Sequence, residues 1–270
     1  MSIALTGAGY RHSSSADIAA LQPLDLAVEA REQVAIIGPS GAGKTTLLQI
    51  LATALRPQGG EVNILDSNPW QISSARRRVL RQQIGFIQQA SPLPPRQRVV
   101  TAVGSGRLGR KSALTALLNL VYPLDQQGIR ESLRQLQIDD KLFQRCDQLS
   151  GGQLQRVAIA RALYQQPRLI LADEPVAAMD PLLAARTLSL LQQEARSRAA
   201  TLVVSLHAVE LALNHFPRII GLRQGAVLFD TSADNISDRM LHDLYANEQQ
   251  PGNIAPGVEN YRAAINFPCR

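Results

Sequence analysis

The segment GPSGAGKTT, residues 38–46, joins a glycine-rich turn to one lysine and two threonines. Its spacing fits G-x-x-x-x-G-K-[ST], in which backbone N–H groups curl round a phosphate and the N-terminus of the next helix adds partial positive charge. We expect Lys44 to reach the β- and γ-phosphates of a nucleoside triphosphate and Thr45 to ligate Mg²⁺. The apolar run VAII directly precedes the segment, as the strand–loop–helix context of this motif requires. The predicted phosphate-binding residues are Gly38, Pro39, Ser40, Gly41, Ala42, Gly43, Lys44, Thr45 and Thr46.

A second segment, LILADEP, ends an apolar run in two carboxylates, Asp173 and Glu174. Asp173 is placed to hold Mg²⁺ through water, as the strand-terminal aspartate of P-loop enzymes does. Glu174 is then free to orient or deprotonate the attacking water. Taken alone, such a pair is more often a solvated strand end than a catalytic base. Together with residues 38–46, it indicates hydrolysis of the bound triphosphate.

A third segment, LSGGQ at residues 149–153, forms a small donor-rich turn that opens another helix and gives a second phosphate-binding helix end. His207 follows the strand-like run TLVVSL. In order and spacing, these features resemble the nucleotide-binding subunit of an ATP-binding cassette (ABC) transporter. The resemblance covers about residues 1–230, and LSGGQ is a highly specific motif.

The resemblance implies a role for each matching residue. His207 resembles the histidine that contacts the γ-phosphate, and Tyr10 resembles the aromatic residue that stacks on adenine. Gln89, in IGFIQQ, resembles the glutamine that links Mg²⁺ to the permease contact. Gln88 replaces the aromatic residue that usually precedes this glutamine, so the choice between the two glutamines stays open. The predicted catalytic residues are Lys44, Gln89, Glu174 and His207, and the predicted metal ligands are Thr45, Gln89 and Asp173.

One chain does not need two phosphate-binding helix ends for one triphosphate, and the resemblance implies that ATP lies between two subunits. Asp180, in AAMDP, resembles the aspartate that crosses the subunit interface. Ala178 and Met179 stand where the family more often has Ser-Leu, which removes one expected hydroxyl contact. The ATP contacts predicted from this half of the site are Ser150, Gly151, Gly152, Gln153 and Asp180.

Four segments together resemble the phosphonate import ATPases: GSGRLGRKSALTALLNL, DQLSGGQ, ADEPVAAMDP and LHAVELALNHFPRIIGLRQG. This resemblance implies ATP and Mg²⁺ as cofactors and a homodimer at the cytoplasmic face of the cell membrane. Two permease subunits and an extracytoplasmic substrate-binding protein are the implied partners. Three alternatives stay open: an importer of phosphate, phosphite or another small solute, a soluble cassette ATPase of translation or DNA repair, and a P-loop kinase.

Composition bounds these interpretations. The chain has 270 residues, 45% hydrophobic, with a formal net charge of +6, which suits nucleic acid, an anionic membrane or nucleotide phosphates alike; the motifs favour nucleotide phosphates and no nucleic-acid partner. No run approaches the roughly 18 apolar residues that span a bilayer, and no signal-peptide pattern opens the chain, so we expect a cytosolic, peripheral protein. Cys146 and Cys269 lie far apart without a CxxC pattern, which predicts inert thiols.

Apolar periodicity places the motifs on elements. Alternation predicts an antiparallel strand pair over 3–9 and 24–28, and residues 44–55 are predicted to form a helix that ends before Arg56-Pro57. Further strands are predicted at 33–37, 169–172, 201–204, 218–222 and 226–229. The predicted fold is α/β, a P-loop (RecA-like) ATPase core with an antiparallel β subdomain and an inserted helical subdomain at about 90–165. Residues 1–245 are predicted to form the nucleotide-binding domain, and 246–270 a tail of unknown role.

The helical insert carries a glycine motif, a helical apolar pattern and a basic cluster. GSGRLG, residues 104–109, spells G-x-G-x-x-G, but no strand precedes it, so a dinucleotide site is not predicted. Ile129, Leu133 and Leu136 have helical spacing. The basic cluster is predicted to be a solvated patch, with a contact to the permease or to lipid headgroups as the alternative; it comprises Arg107, Arg110 and Lys111.

Overall fold

The computed structural model describes residues 1–11, 19–90, 92–110 and 125–246. Its strands are β1 (Ile3–Tyr10), β2 (Leu21–Val28), β3 (Gln33–Ile37), β4 (Gly59–Ile64), β5 (Ile84–Ile87), β6 (Leu169–Asp173), β7 (Thr201–Ser205), β8 (Arg218–Arg223) and β9 (Ala226–Ser232). Its α-helices are α1 (Lys44–Leu51), α2 (Ser74–Arg81), α3 (Val99–Gly104), α4 (Gln126–Arg134), α5 (Gly151–Tyr164), α6 (Pro181–Ser197), α7 (Val209–His215) and α8 (Asp238–Tyr245). Lys111, Cys269 and residues 247–270 of the predicted tail lie outside the described residues.

The larger sheet has the strand order β5-β6-β7-β3-β8-β9. Its first five strands are parallel, and β9 pairs antiparallel with β8. Every residue of β3, β6 and β7 is buried, because helices cover both faces of a parallel sheet. The carboxyl ends of these three strands meet at one edge, where open α/β sheets bind their ligands. The glycine-rich loop, the paired carboxylates and His207 follow these strands and therefore share that edge.

The smaller sheet is antiparallel, with the order β2-β1-β4. The predicted pair of β1 and β2 is present, and the architecture is α/β with an added antiparallel sheet, as predicted. Sequence periodicity missed β4, because its first three residues are exposed and only Val62 and Ile64 are buried. Buried residues of this sheet share one core cluster with those of α1, and the start of β2 lies close to Gly43 of the glycine-rich loop.

Helix α1 is shorter than predicted. It ends at Leu51 rather than at Leu55, because Thr53 adopts a left-handed backbone conformation with φ of 59°. The N–H groups of Ala54 and Leu55 then both donate to the carbonyl of Gln49, at 2.8 and 3.1 Å. The chain therefore turns away several residues before the proline.

Helices α3, α4 and α5 contact one another in the stretch predicted to be helical. Ile129 and Leu133 of α4 are fully buried, and Leu136 is buried just beyond its end. Cys146 is buried beside them, and burial followed by the nearby charge of Asp147 raises the pKa of its thiol. This agrees with the prediction of an inert thiol. Within the described ranges, no helix is long and apolar enough to cross a membrane.

Gly106 and Arg107 of the segment 104–110 pack against α5. A Cβ at Gly106 would lie 2.5 Å from the carbonyl oxygen of Arg161, so this glycine lets the segment approach α5. Arg107 donates to the carbonyl oxygen of Tyr164 at 2.6 Å and stacks over its ring, and Arg110 donates to the carbonyls of Gln82 and Gln166. The prediction of a solvated basic patch is therefore wrong for Arg107, which is half-buried against Tyr164, whereas Arg110 is exposed as predicted.

Candidate active site

The glycine-rich loop joins β3 to α1 and depends on two glycines. Gly38 has φ of 153° and Gly43 has φ of 101°, values that L-amino acids with side chains rarely adopt. A Cβ would lie 2.0 Å from the carbonyl oxygen of Leu222 at Gly38 and 2.5 Å from that of Ala20 at Gly43. Gly43 is also the N-cap of α1 and provides no side-chain cap. The first N–H groups of α1 are thus left for an external acceptor, as a phosphate-binding loop requires.

Lys44, the first residue of α1, is buried with only 6% of its surface exposed. Its Nζ donates to the carbonyl oxygens of Gly38 at 2.7 Å and Pro39 at 3.0 Å. The same nitrogen lies 4.0 Å from Oε1 of Glu174. The ammonium group therefore lies against its own loop, next to the carboxylate predicted to act on water. Thr45 is exposed and Thr46 is buried.

Asp173 and Glu174 are held by one serine of the neighbouring strand. Asp173 ends β6, is 2% exposed, and accepts a hydrogen bond from Ser205 Oγ at 2.6 Å. The N–H of Glu174 donates to Ser205 Oγ at 3.0 Å and to the Ser205 carbonyl oxygen at 3.1 Å. Glu174 has φ of 45°, which turns the chain sharply out of the sheet. Ser205 was not predicted from the sequence, although a hydroxyl at the end of an apolar strand is a signal that could have pointed to it.

The two oxygens of Glu174 have different neighbours. Oε1 faces Lys44, and Oε2 accepts a hydrogen bond from Gln89 Nε2 at 2.9 Å. Gln88 is fixed differently, because its carbonyl oxygen accepts from Gln155 Nε2 at 3.1 Å. Of the two glutamines, the structure therefore brings the side chain of Gln89 to the paired carboxylates. Its role as a metal ligand stays a prediction.

His207 follows β7 by two residues and is exposed. With Glu174 it lines a cavity of about 700 Å³, whose other walls are mainly apolar residues of α6, α7 and the loop before α6. His215 lies on the wall formed by α7, and burial lowers the pKa of its imidazole, which favours the neutral form. The structure thus places the predicted histidine and the predicted water-activating carboxylate on one cavity.

The signature segment forms the start of α5. Ser150 is the N-cap: its Oγ accepts from Gln153 N at 3.3 Å, and Gln153 Oε1 accepts from Ser150 N at 3.0 Å. This is a capping box, encoded by Ser followed three residues later by Gln. A Cβ at Gly152 would lie 2.9 Å from the carbonyl oxygen of Ala178, whereas one at Gly151 would meet no described atom within 4 Å. One side of this helix end is therefore packed and the other is open.

Asp180 and Tyr10 have local contacts of their own. Asp180 is the N-cap of α6, where its Oδ1 accepts from Leu183 N at 3.0 Å.

Tyr10 lies opposite Leu21 in the antiparallel sheet and is half-buried. Leu21 lies close to the phosphate-binding loop, because a Cβ at Gly43 would be 3.4 Å from one of its methyl groups. Tyr10, on the strand next to Leu21, is therefore one strand away from the loop.

Comparison with known proteins defines the class of this chain. The sequence profile of a family described as ABC transporter matches residues 21–177, more than half of the chain. The chain therefore belongs to the ABC transporter family, as one of its ATP-binding, ATP-hydrolysing subunits. The predicted family and fold class are confirmed.

The most informative relatives are curated Pseudomonas proteins. The chain is 59% identical to a phosphonates import ATP-binding protein PhnC of Pseudomonas syringae pv. syringae, over 96% of this chain and 97% of that protein. It is 56% identical to one of Pseudomonas aeruginosa, over 99% of each. A dimeric cassette in a post-hydrolysis state with ADP and Pi is 29% identical, with a TM-score of 0.74, over 87% of this chain and 100% of that chain. The resemblance to phosphonate import ATPases is thus confirmed.

The site fits ATP and Mg²⁺. Three features suit a triphosphate. The loop has no room for a Cβ at Gly38 or Gly43, the start of α1 has no side-chain cap, and the ammonium group of Lys44 is buried beside it. In the described residues, no group of three or more His, Cys, Asp or Glu could hold a metal by itself. Mg²⁺ is usually held by one or two carboxylates together with substrate phosphates, and Asp173 with Thr45 fits that pattern.

Proposed function

We propose that this chain is the ATP-hydrolysing subunit of an importer that takes up phosphonates, compounds with a carbon–phosphorus bond. Identity of 56–59% to proteins named for phosphonate import, over 96–99% of this chain, supports the cargo. The observation that supports the hydrolytic role is the position of the Glu174 carboxylate, which lies between Lys44 and Gln89 and next to the buried Asp173.

The residues would divide the chemistry between them. Lys44 and the N-terminus of α1 neutralise negative charge on the phosphates, which is the main requirement of phosphoryl transfer. Glu174 orients the attacking water and accepts its proton, and His207 contacts the γ-phosphate. Thr45, Gln89 and Asp173 would hold Mg²⁺, which supplies further charge neutralisation when bound.

We infer that two copies act together. A related cassette is dimeric, and the open side of the signature helix end at Gly151 leaves room for a ligand carried by another molecule. The homodimer would lie at the cytoplasmic face of the membrane, bound to two permease subunits and supplied by an extracytoplasmic binding protein. Residues 1–245 would form the nucleotide-binding domain, with the helical subdomain at about 90–165 and a tail at 246–270.

Other functions predict different chemistry. Phosphate, phosphite or another solute as cargo would leave every residue of this site unchanged, because the cargo crosses the membrane through the permease. A kinase would transfer the phosphoryl group to a substrate instead of to water. A soluble cassette ATPase would hydrolyse ATP without any response to a permease.

The decisive experiment uses the full assembly in lipid vesicles. ATP hydrolysis is measured while the binding protein is titrated with an alkylphosphonate, phosphite, phosphate or an unrelated amino acid. Stimulation by the alkylphosphonate is expected, because only a loaded binding protein that favours the ATP-closed state can shift the equilibrium. Stimulation by the amino acid alone would contradict the phosphonate cargo. Equal responses to phosphite and phosphate would extend the cargo to tetrahedral phosphorus oxyanions in general.

A further inference from the structure

Ser205 lies at the centre of the larger sheet and at its ligand-binding edge. It is the last residue of β7, fully buried, and is paired with Ile36 of β3 on one side and with Asp173 of β6 on the other. The four residues before it are Thr201 and three aliphatic residues, all buried. A hydroxyl in such a place must have hydrogen-bond partners, since an unpaired buried polar group is costly.

Both partners of the hydroxyl are the paired carboxylate residues. Ser205 Oγ donates its hydrogen to Asp173 Oδ1 at 2.6 Å and accepts the N–H of Glu174 at 3.0 Å. A hydroxyl can donate and accept at the same time, whereas an alanine can do neither. A single oxygen atom therefore fixes the direction of the Asp173 carboxylate and the backbone of Glu174.

The second of these contacts restrains an unfavourable conformation. Glu174, at φ of 45°, is in the left-handed region, which residues with side chains populate rarely. Such conformations persist where surrounding contacts hold them, and they concentrate at functional sites. Here the turn directs the Glu174 carboxylate to Lys44 and Gln89. Loss of the Ser205 hydroxyl would allow the backbone to relax and the carboxylate to move.

We propose that Ser205 is a positioning residue that holds both carboxylates in the arrangement needed for Mg²⁺ binding and for hydrolysis. The proposal rests on the proposed roles of Asp173 and Glu174 and deepens them. Ser205 would act on the metal only through Asp173 and on water only through Glu174. Partners of this kind behind metal ligands change metal affinity or activity by about 10- to 100-fold when they are removed.

The test compares Ser205→Ala with a matched variant at the other end of the same strand. Thr201 is also a buried hydroxyl of β7, bonded to Ser2 Oγ at 2.7 Å and to Arg31 N at 2.9 Å. Thr201→Val removes this hydroxyl far from the site. Affinity for a fluorescent, non-hydrolysable ATP analogue is measured in Mg²⁺ and in EDTA, together with the rate of ATP hydrolysis. Ser205→Thr, which keeps the hydroxyl, is the conservative variant.

The expected result is a split between the two conditions. Ser205→Ala should bind the analogue normally in EDTA. In Mg²⁺, its affinity for the analogue and its hydrolysis rate should each fall by about 10- to 100-fold. Ser205→Thr should restore both. Ser205→Cys keeps the side-chain size with a weak hydrogen-bonding group, so it gives the same test should the alanine variant misfold. Equal behaviour of Ser205→Ala and Thr201→Val, or a normal Mg²⁺ response in Ser205→Ala and Ser205→Cys, would overturn the proposal.

Asp173→Asn separates this proposal from the one beneath it. If Asp173→Asn loses the Mg²⁺-dependent affinity and Ser205→Ala does not, the role of Asp173 survives and that of Ser205 fails. If Asp173→Asn itself binds the Mg²⁺ complex normally, the proposed role of Asp173 fails, and the action of Ser205 on the metal through Asp173 fails with it.

Discussion

The starts of α1 and α5 are both glycine-rich helix ends suited to phosphate, yet they are capped differently. At α1, Gly43 provides no side-chain cap, and the buried Lys44 adds a positive charge. At α5, Ser150 and Gln153 cap the helix end with their own side chains. The first end can bind phosphate within one chain. At the second end, side chains already accept hydrogen bonds from two backbone N–H groups, and the Gly151 side is open. This end therefore suits a supporting contact to a nucleotide bound by another copy.

The largest effect is expected at the α1 end. Lys44→Ala should weaken ATP binding and lower hydrolysis by at least about 100-fold, because it removes the buried ammonium group that we expect to reach the transferring phosphate. Released phosphate and binding of a fluorescent ATP analogue are the two measurements. Lys44→Arg is the control for charge without the same shape. Wild-type turnover in Lys44→Ala would contradict the assignment of the loop.

A matched pair of glycine substitutions compares the two ends directly. Gly43→Ala should destabilise the chain by about 1–3 kcal/mol, since φ of 101° is strained for alanine and its Cβ would lie 2.5 Å from a carbonyl oxygen. Gly151→Ala should be neutral or slightly stabilising, because the site is open and alanine favours helix. Thermal unfolding of both variants measures the difference. Equal melting temperatures would mean that the two ends are built alike.

The smallest effect is expected from the α5 cap. Ser150→Ala should lower stability by about 1 kcal/mol, the usual cost of losing an N-cap side chain. ATP binding by the isolated subunit should not change, because Ser150 caps its own helix rather than the loop at α1. Equilibrium unfolding in urea and analogue binding test both parts. A loss of ATP affinity in the isolated Ser150→Ala subunit would indicate that both helix ends serve one site within one chain.

The positions of the predicted site residues on the sheet could be predicted from the sequence, because they depend on local spacing. The loop at residues 38–46 and the pair Asp173-Glu174 follow buried strands, and parallel strands bring their carboxyl ends to one edge. Ser205 escaped notice because its partners are distant in sequence and meet it only through sheet register. The early end of α1 also depends on the backbone of Thr53, which side-chain periodicity does not report. Strand β4 carried too few buried positions to give an alternating pattern.

We propose that the α1 end of one copy binds ATP and that the α5 end of another copy completes the binding site. Glu174→Gln, which slows cleavage while ATP stays bound, should form a dimer with ATP and a monomer without it, as measured by light scattering. Gly151→Arg, added to Glu174→Gln, places a bulky side chain on the open side of α5. This double variant should bind ATP but stay monomeric, because its α5 end can no longer complete the site of another copy. A double variant that dimerises as fully as Glu174→Gln would contradict the proposal.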